Sequence, residues 1–339
     1  MRIIYNINKI KNMSEHIMFK TQSGKKYKQR DGIVAIKDGI KTQKITTNKT
    51  APIKPKWFKV PLPRGTNFRD LKSIVAEYKL STVCEESKCP NIGECWNHGT
   101  ATLMVMGSVC TRACRFCAVD TGNPNGWLDS NEPLHIAKTV AFMNLDYVVV
   151  TSVDRDDLTD GGATHIASCV LETKTLCPKV TVEVLSPDFG GNLEHLDILL
   201  NSDLDVFAQN LETVKRLTQG VRDPRAGYEQ TLEVLEYAAQ QGVITKSGLM
   251  LGLGETFEEM KQTMTDLFNC GVEILTLGQY LRPTVNHLPV AQYISPETFR
   301  DYEFLGHQIG LKEVVAGPLV RSSYRADQSY KRLNKLTND

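Results

Sequence analysis

The stretch from Cys84 to Cys117 constrains this chain more than any other. Six of its nine cysteines fall within these 34 positions, in two triplets. Cys84, Cys89 and Cys95 follow C-x4-C-x5-C, and Cys110, Cys114 and Cys117 follow C-x3-C-x2-C. Thiolates are soft ligands that suit zinc, copper or iron–sulfur clusters. Two triplets imply two metal centres, each one protein ligand short of four. The odd cysteine total and the tight clustering oppose a secreted disulfide framework and favour metal ligation in a reducing compartment.

The rest of the chain reads as an ordinary globular protein, 41% hydrophobic and 23% charged over 339 residues. No apolar run reaches the length of a membrane span, and the N-terminus lacks the apolar core of a signal peptide. A cytoplasmic protein with no membrane partner is expected, rather than one of the mitochondrial matrix. Met13 offers an alternative start. The net charge of +1 hides an asymmetry: residues 1–56 hold 14 basic against 3 acidic residues, a net of +11, leaving −10 for the remainder. Such a segment reads either as a solvated tail or as a steering arm for an acidic protein.

Residues 1–56 form a basic extension, poorly ordered or wrapping, and 57–100 a segment carrying the first triplet. Within the latter, Asn67–Leu80 has an amphipathic helical pattern. From residue 101 a regular alternation begins. Apolar runs read as buried strands at Leu103–Met106, Tyr147–Thr151, Val180–Leu185, Asp205–Ala208, Ser247–Leu251 and Ile274–Leu277. Helical patterns lie near 132–144, 161–175, 192–200, 226–241, 256–270 and 296–309. Ser295-Pro296 reads as N-cap followed by first-turn proline, and Gly242 and Gly271 as helix ends. Repeated strand–helix units predict an α/β fold with a parallel sheet under helices. Six units are too few for a closed eight-stranded barrel. A partial (βα)6 barrel of the TIM type over 101–310 is therefore expected, followed by a C-terminal segment, 311–339; a doubly wound open sheet is the alternative.

This organisation puts Cys110 just past the C-terminal end of the first strand, where parallel α/β folds keep their chemistry. Several metals suit three thiolates. Zinc sites usually repeat C-x2-C pairs and recruit a fourth Cys or His, for which His98 is the local candidate. An electron-transfer 4Fe–4S cluster takes four cysteines; three leave one iron open to a ligand. Of the other cysteines, Cys169 and Cys270 fall on apolar helical faces as small buried residues, and Cys177 stands alone in a turn. Asp154, Arg155, Asp156 and Asp157 follow the second strand, as a solvated loop or a functional one.

C-x3-C-x2-C after the first strand of a parallel α/β domain resembles the radical S-adenosylmethionine superfamily. The first triplet, C-E-E-S-K-C-P-N-I-G-E-C-W, with H-G-T-A-T and C-T-R-A-C-R-F-C after it, is similar to the lipoyl synthase family. The likeness continues through V-V-V-T-S-V-D-R-D-D-L-x-D-G-G-A (148–163), N-L-E-T-V (210–214), K-S-G-L-M-L-G-L-G-E-T (246–256), L-T-L-G-Q-Y-L (275–281) and V-R-S-S-Y-R-A (320–326). It covers residues 57–330. Gln209 and Ala118 depart from it, standing where many relatives carry His and Asp.

The resemblance implies two 4Fe–4S clusters. Cys110, Cys114 and Cys117 would hold the one that binds and cleaves S-adenosylmethionine, two molecules per lipoyl group. Cys84, Cys89 and Cys95 would hold an auxiliary cluster, with Ser323 of R-S-S-Y as its fourth ligand, drawing the C-terminal segment over the barrel mouth. The implied activity is a sulfurtransferase reaction: sulfur inserted at carbons 6 and 8 of a protein-bound octanoyl-lysine, taken from the auxiliary cluster. Ser152, Glu183, Asn210, Arg222 and Gly252 sit where S-adenosylmethionine contacts are expected, with Gly254 a second close-approach glycine and Arg321 beside the serine. Expected partners are an octanoylated lipoyl carrier protein, lipoyl domains of 2-oxoacid dehydrogenases or the glycine cleavage H protein, a flavodoxin or ferredoxin as electron donor, and an iron–sulfur carrier for cluster repair. A monomer is expected, with no nucleic-acid partner, because the body is acidic. Other radical sulfur-inserting enzymes with an auxiliary cluster, and a non-enzymatic iron–sulfur or zinc protein, are the rival readings.

Overall fold

The structure, a computed structural model, describes residues 21–29, 32–40, 53–60, 65–78, 80–86, 89, 91–97 and 101–338. Met13 and His98 lie outside them. Among the described residues twelve strands follow in chain order: β1 (Lys26–Lys28), β2 (Val34–Ile36), β3 (Ser81–Thr82), β4 (Thr102–Val105), β5 (Val109–Cys110), β6 (Asp120–Gly122), β7 (Tyr147–Ser152), β8 (Thr181–Leu185), β9 (Val206–Ala208), β10 (Ile244–Leu251), β11 (Ile274–Gln279) and β12 (Glu313–Gly317).

The main sheet runs β3-β4-β7-β8-β9-β10-β11-β12. From β4 onward every neighbouring pair is parallel and in chain order, whereas β3 is antiparallel to β4. A doubly wound sheet would reverse its strand order once; this one never does, so it winds as a barrel winds. No ladder joins β12 to β3 among the described residues, which leaves the sheet open on that side.

In the parallel run from β4 to β12 of the main sheet, two strands differ most from expectation. β12 is a seventh parallel strand, hidden in the sequence because E-V-V-A-G is short and begins with a charge. β10 starts three residues early, at Ile244, because Lys246 lies inside it. A lysine mid-strand looks like a strand end until a buried partner is seen.

The helices between strands fall where the periodicity put them. They are Glu132–Met143, Ala163–Leu176, Leu193–Leu200, Tyr228–Gln240, Phe257–Asn269 and Pro296–Ile309, with Thr66–Glu77 ahead of the sheet. Ser295 Oγ caps Thr298 N at 3.2 Å, and Thr256 with Glu259 forms a full capping box. The helices cover one face of the sheet, burying Val148, Val150, Val182, Val184, Leu249 and Leu277 against Ile136, Ile166, Leu196, Val234 and Met264. Each fully buried valine or leucine contributes roughly 1.5–3 kcal/mol over exposure.

The inner face is different. Tyr147 and Val149 meet Ala326 and Tyr330 of the C-terminal helix Ala326–Asn338. The Tyr147 and Tyr330 rings lie 5.8 Å apart, edge to face, and Arg332 pairs with Glu313 at the start of β12. This helix therefore descends along the inner face towards the strands' N-terminal ends. The turn before it, 318–324, stays at the upper end of β11. Closure by the C-terminal segment is thus confined to that turn.

A second, smaller sheet, β1-β2-β6-β5, attaches the N-terminal extension to the body. β1 and β2 form a hairpin, and β2 pairs antiparallel with β6. Ile33 and Ala35 bury against Val109, with Tyr27 packed alongside.

Candidate metal centres

The second triplet occupies a loop that leaves β4 and is bracketed by β5 and β6. Cys110 is the last residue of β5, paired with Thr121. The loop is held from outside by the charged segment after β7. Thr111 N donates to Asp154 O at 2.9 Å, and Thr111 Oγ1 donates to Asp156 Oδ2 at 2.7 Å. Arg112 is buried and meets Asp154, Asp156 and Asp188 at 3.3, 2.9 and 2.8 Å. Ala113 N donates to Asp223 Oδ2 at 2.9 Å, and Arg225 bridges Asp223 and Asp156. The D-R-D-D segment is therefore the frame of the cysteine loop. Arg155 serves the same frame, bonding Asp157, Met106 O and Trp127 O.

Backbone amides point at two sulfurs: Arg112 N lies 3.4 Å from Cys110 Sγ, and Asp223 N lies 3.2 Å from Cys114 Sγ. The Asp154 carboxyl stands 3.8 Å from Cys110 Sγ. On the inner side, His287 Nε2 bonds Cys117 O at 2.9 Å.

The first triplet lies on the far side of β4. Cys84 sits on the short helix Val83–Glu86, directly after β3, and Cys95 on the helix Ile92–Asn97. Cys89 N donates to Cys84 O, and Cys95 N to Asn91 O, both at 2.9 Å. These cysteines border one pocket with Asn91, Thr102, Arg321 and Ser323. Asn91 Nδ2 donates to Leu319 O at 2.6 Å, while Tyr324 and Arg325 bond Glu94. The pocket thus joins the segment after β3 to the segment after β12, the two edges of the open sheet. Among the described residues no three His, Cys, Asp or Glu side chains close in on a single ion position.

All six thiols are pushed up by burial. Cys84 and Cys117 reach about 11, Cys95 and Cys114 about 12, Cys110 rises well above its ordinary value, and Cys89 rises as well. Burial disfavours the thiolate, so only a strongly cationic group would hold these sulfurs ionised. A soft donor set of three shielded thiols fits an iron–sulfur cluster.

The other expected contacts divide. Arg222 is buried; its Nη1 donates to Thr231 Oγ1 at 2.8 Å, and its charge acts on Cys114, Asp154 and Glu212. Asn210 reaches over Gly248 on the inner face, where a Cβ would stand 2.7 Å from Asn210 Oδ1 and 2.8 Å from Thr276 Oγ1. The Ser152 hydroxyl is buried with no hydrogen-bond partner among the described residues, as is Gln209 Oε1. An orphaned buried hydroxyl at a strand end is the kind of group a ligand completes.

Glu183 is used otherwise. Both its oxygens accept from Lys246 Nζ, at 2.9 and 2.8 Å, and Oε2 also accepts from Tyr147 at 2.5 Å. It lies within β8 rather than at its end, and belongs to a buried ionic layer beneath the site. At Gly252 a Cβ would lie 2.1 Å from Gln279 Nε2 and 2.3 Å from Gln292 O. The protein's own chain fills the space this glycine frees. Arg321 lines the first triplet's pocket, and its Nη1 donates to Val320 O at 2.7 Å. Cys169 and Cys270 are buried in the helical layer, and Ala118 is buried beside Cys117.

Glu212 escaped the sequence reading. Its backbone is left-handed, with φ 70°, yet it bridges Leu249 in strand fashion, with Glu212 N on Gly248 O at 2.9 Å. A non-glycine residue in that region is strained and tends to mark a functional site. Its carboxyl is pushed up by burial, opposed by Arg222 and Asn210, and its charge reaches Cys117. N-L-E-T-V was the available signal.

The comparisons with known proteins agree with this geometry. Residues 104–267 match the profile of the Radical SAM superfamily, and residues 24–89 match that of the N-terminal domain of lipoyl synthase of the Radical_SAM family. A lipoyl synthase of Marinobacter nauticus is 57% identical over 95% of this chain and 93% of its own. The chain belongs to the lipoyl synthase family. A lipoyl synthase of Legionella pneumophila strain Paris is 58% identical over 92% and 95%, and one of Francisella philomiragia 53% over 94% and 98%. Among solved structures, the FeFe-hydrogenase maturase HydG of Carboxydothermus hydrogenoformans superposes with TM-score 0.50 over 79% of this chain and 78% of its own, at 14% identity. Streptococcus suis SuiB bound to S-adenosylmethionine gives 0.50 over 67% and 53%, at 12% identity. These two share the fold. The lipoyl synthase N-terminal profile spans both the β1–β2 hairpin and Cys84–Cys89, so the extension is part of what this family shares.

Proposed function

We propose that this chain acts as a lipoyl synthase, inserting sulfur at carbons 6 and 8 of an octanoyl-lysine borne by a lipoyl domain, with Cys110, Cys114 and Cys117 holding one 4Fe–4S cluster and Cys84, Cys89, Cys95 and Ser323 the other. The observation that carries this division is the placement of Ser323. A serine 228 residues beyond Cys95 in the chain lines the same pocket as the first triplet. When bound, S-adenosylmethionine and the second-triplet cluster supply the radical chemistry that unactivated C–H bonds require, and the first-triplet cluster supplies sulfur.

The chain's own residues hold and shield. Amides of Arg112 and Asp223 face Cys110 and Cys114 and favour their ionised forms. Arg222 places a buried positive charge beside Cys114, suited to a carboxylate. Asn210 and Glu212 offer an amide and a carboxyl on the inner face, suited to hydroxyl or amine groups, and the Ser152 hydroxyl is available at the end of β7. The buried layer Tyr147–Glu183–Lys246 closes the inner face from below and keeps water out. A reduced flavodoxin or ferredoxin as electron donor and an iron–sulfur carrier for cluster repair complete this reading, which the reducing compartment implied by six unpaired thiols favours.

The test is an anaerobic incubation of the reconstituted protein with reductant, S-adenosylmethionine and an octanoyl-lysyl peptide, read by mass spectrometry. A product carrying two added sulfurs is expected. Its absence from protein with both clusters intact would refute the function, and stoichiometric zinc in place of about eight irons would refute the metal assignment.

A further inference from the structure

Six lysines on the extension, Lys25, Lys26, Lys28, Lys54, Lys56 and Lys59, are exposed, and none has a carboxylate partner among the described residues. The acid among the described residues 21–60 is Asp38, and it is buried. On β1, Tyr27 turns inward to Asp120, so strand alternation turns Lys26 and Lys28 outward. Lysines on an edge strand also discourage stray pairing, but Lys54, Lys56 and Lys59 lie on no strand. Between them Trp57 stands 43% exposed, while its neighbour Phe58 is buried against Tyr293 with ring centroids 5.4 Å apart.

This basic ribbon has a fixed location. Lys37 and Asp38 N bind Asp120, which ends the second-triplet loop, at 3.2 and 2.7 Å. Ser23 bonds Thr284 and Asn286, and Phe58 rests on Tyr293. All these partners follow the C-terminal ends of β4 or β11. The lysines therefore rim the mouth through which an octanoyl-lysine must enter, on a body whose net charge beyond residue 56 is −10.

We infer that this rim docks the carrier domain of the substrate, with the lysines meeting an acidic face around its octanoyl-lysine and Trp57 as the apolar anchor; the inference rests on the lipoyl synthase reading above. A diffuse positive rim speeds encounter and fixes orientation, and a tryptophan ringed by charge is a common energetic centre of an interface. A free octanoyl-lysyl peptide has no such face and gains nothing from the rim.

The experiment measures binding of a fluorescently labelled octanoylated lipoyl domain to the full-length reconstituted protein by anisotropy, separately from turnover of the octanoyl-lysyl peptide. The K54E/K56E/K59E variant should bind the domain about ten-fold or more weakly, and K54Q/K56Q/K59Q should lose less in the same direction. W57A should weaken binding without changing its salt dependence. Wild-type affinity should fall as salt rises, and peptide turnover should stay within about two-fold of wild type in every variant. Replacing acids beside the domain's octanoyl-lysine with lysine should restore binding to K54E/K56E/K59E. Unchanged domain affinity in that variant would overturn the inference, as would a parallel fall in peptide turnover. An RNA oligonucleotide that binds the wild type more tightly than the domain does would also overturn it, in favour of a nucleic-acid surface. A failure of the function itself is read elsewhere, as absent peptide conversion by the wild-type protein.

Discussion

A Cβ on Gly278 would lie 2.2 Å from the carbonyl oxygen of Val320. The absence of a side chain at this point of β11 lets the turn 318–324 cross the inner face and carry Ser323 to Cys84, Cys89 and Cys95. Gly278→Ala should push that turn away. Iron content should drop from about eight per chain towards about four, with the second-triplet cluster retained in its electron paramagnetic resonance signal. Full iron content in the variant would show that the turn has other means of support.

Ser323 itself gives a sharper prediction. A serine oxygen is a harder ligand than a thiolate and has a far higher free pKa, so it should leave iron more readily once protonated. Ser323→Cys should keep both clusters by iron and sulfide analysis yet slow sulfur insertion markedly. Unchanged sulfur insertion would remove the argument that a labile fourth ligand is needed.

Lys246 and Glu183 test the buried layer. Both are almost wholly buried and paired at 2.8 Å. Removing one partner strands the other's charge, at a cost of about 3–5 kcal/mol, whereas removing both is often close to neutral. Lys246→Met alone should therefore lower the denaturation midpoint far more than the double change K246M/E183L. Equal losses in the single and double variants would mean that packing rather than charge sets the cost.

The capping box gives the pH dependence. The Arg216 guanidinium, with Thr256, holds the Glu259 carboxyl down at about 2. A carboxyl depressed on folding contributes stability that is complete above its unfolded value of about 4.3 and fades as pH falls towards about 2. The pair is partly exposed, so the effect is small and weakens with salt. The stability difference between wild type and Glu259→Gln, measured by urea titration, should be present at neutral pH and shrink below about pH 4.

Asp120 is the hinge pin of the extension, serving Tyr27, Lys37 and the amide of Asp38. Asp120→Asn should speed hydrogen exchange of the amides in β1 and β2 while leaving those of β7 and β8 protected. Local opening without global unfolding is the expected signature.

Much of this was legible in the chain. The alternation of apolar runs and helical periods placed six strands and seven helices, because a buried parallel strand must be continuously apolar and a covering helix must be apolar on one side. Two charges inside strands are illegible for a common reason. Lys246 inside β10 and Glu183 inside β8 are charges that pairing alone makes tolerable in a core, and no local pattern announces a partner 63 residues away. Glu183 shows the same limit: a carboxylate on a strand looks available until its counter-ion is seen. The left-handed backbone of Glu212 has no local signature, and in the sequence only the N-L-E-T-V likeness marks the residue.

The sequence by itself determined that six thiols stand in two triplets, that the second follows the first parallel strand, and that the chain resembles one family. Spacing and composition are local, and metal-ligand spacing is local chemistry. Only the tertiary structure decided which groups surround each triplet. Ser323 and Arg321 come to the first from the opposite edge of an open sheet, and Asp154, Asp223, Arg222 and Glu212 come to the second from two later connections, after β7 and after β9. The described part of the basic extension is tied to the body because β2 pairs with β6. Each of these depends on how distant segments pack together, and that is a property of the packed chain rather than of any stretch within it.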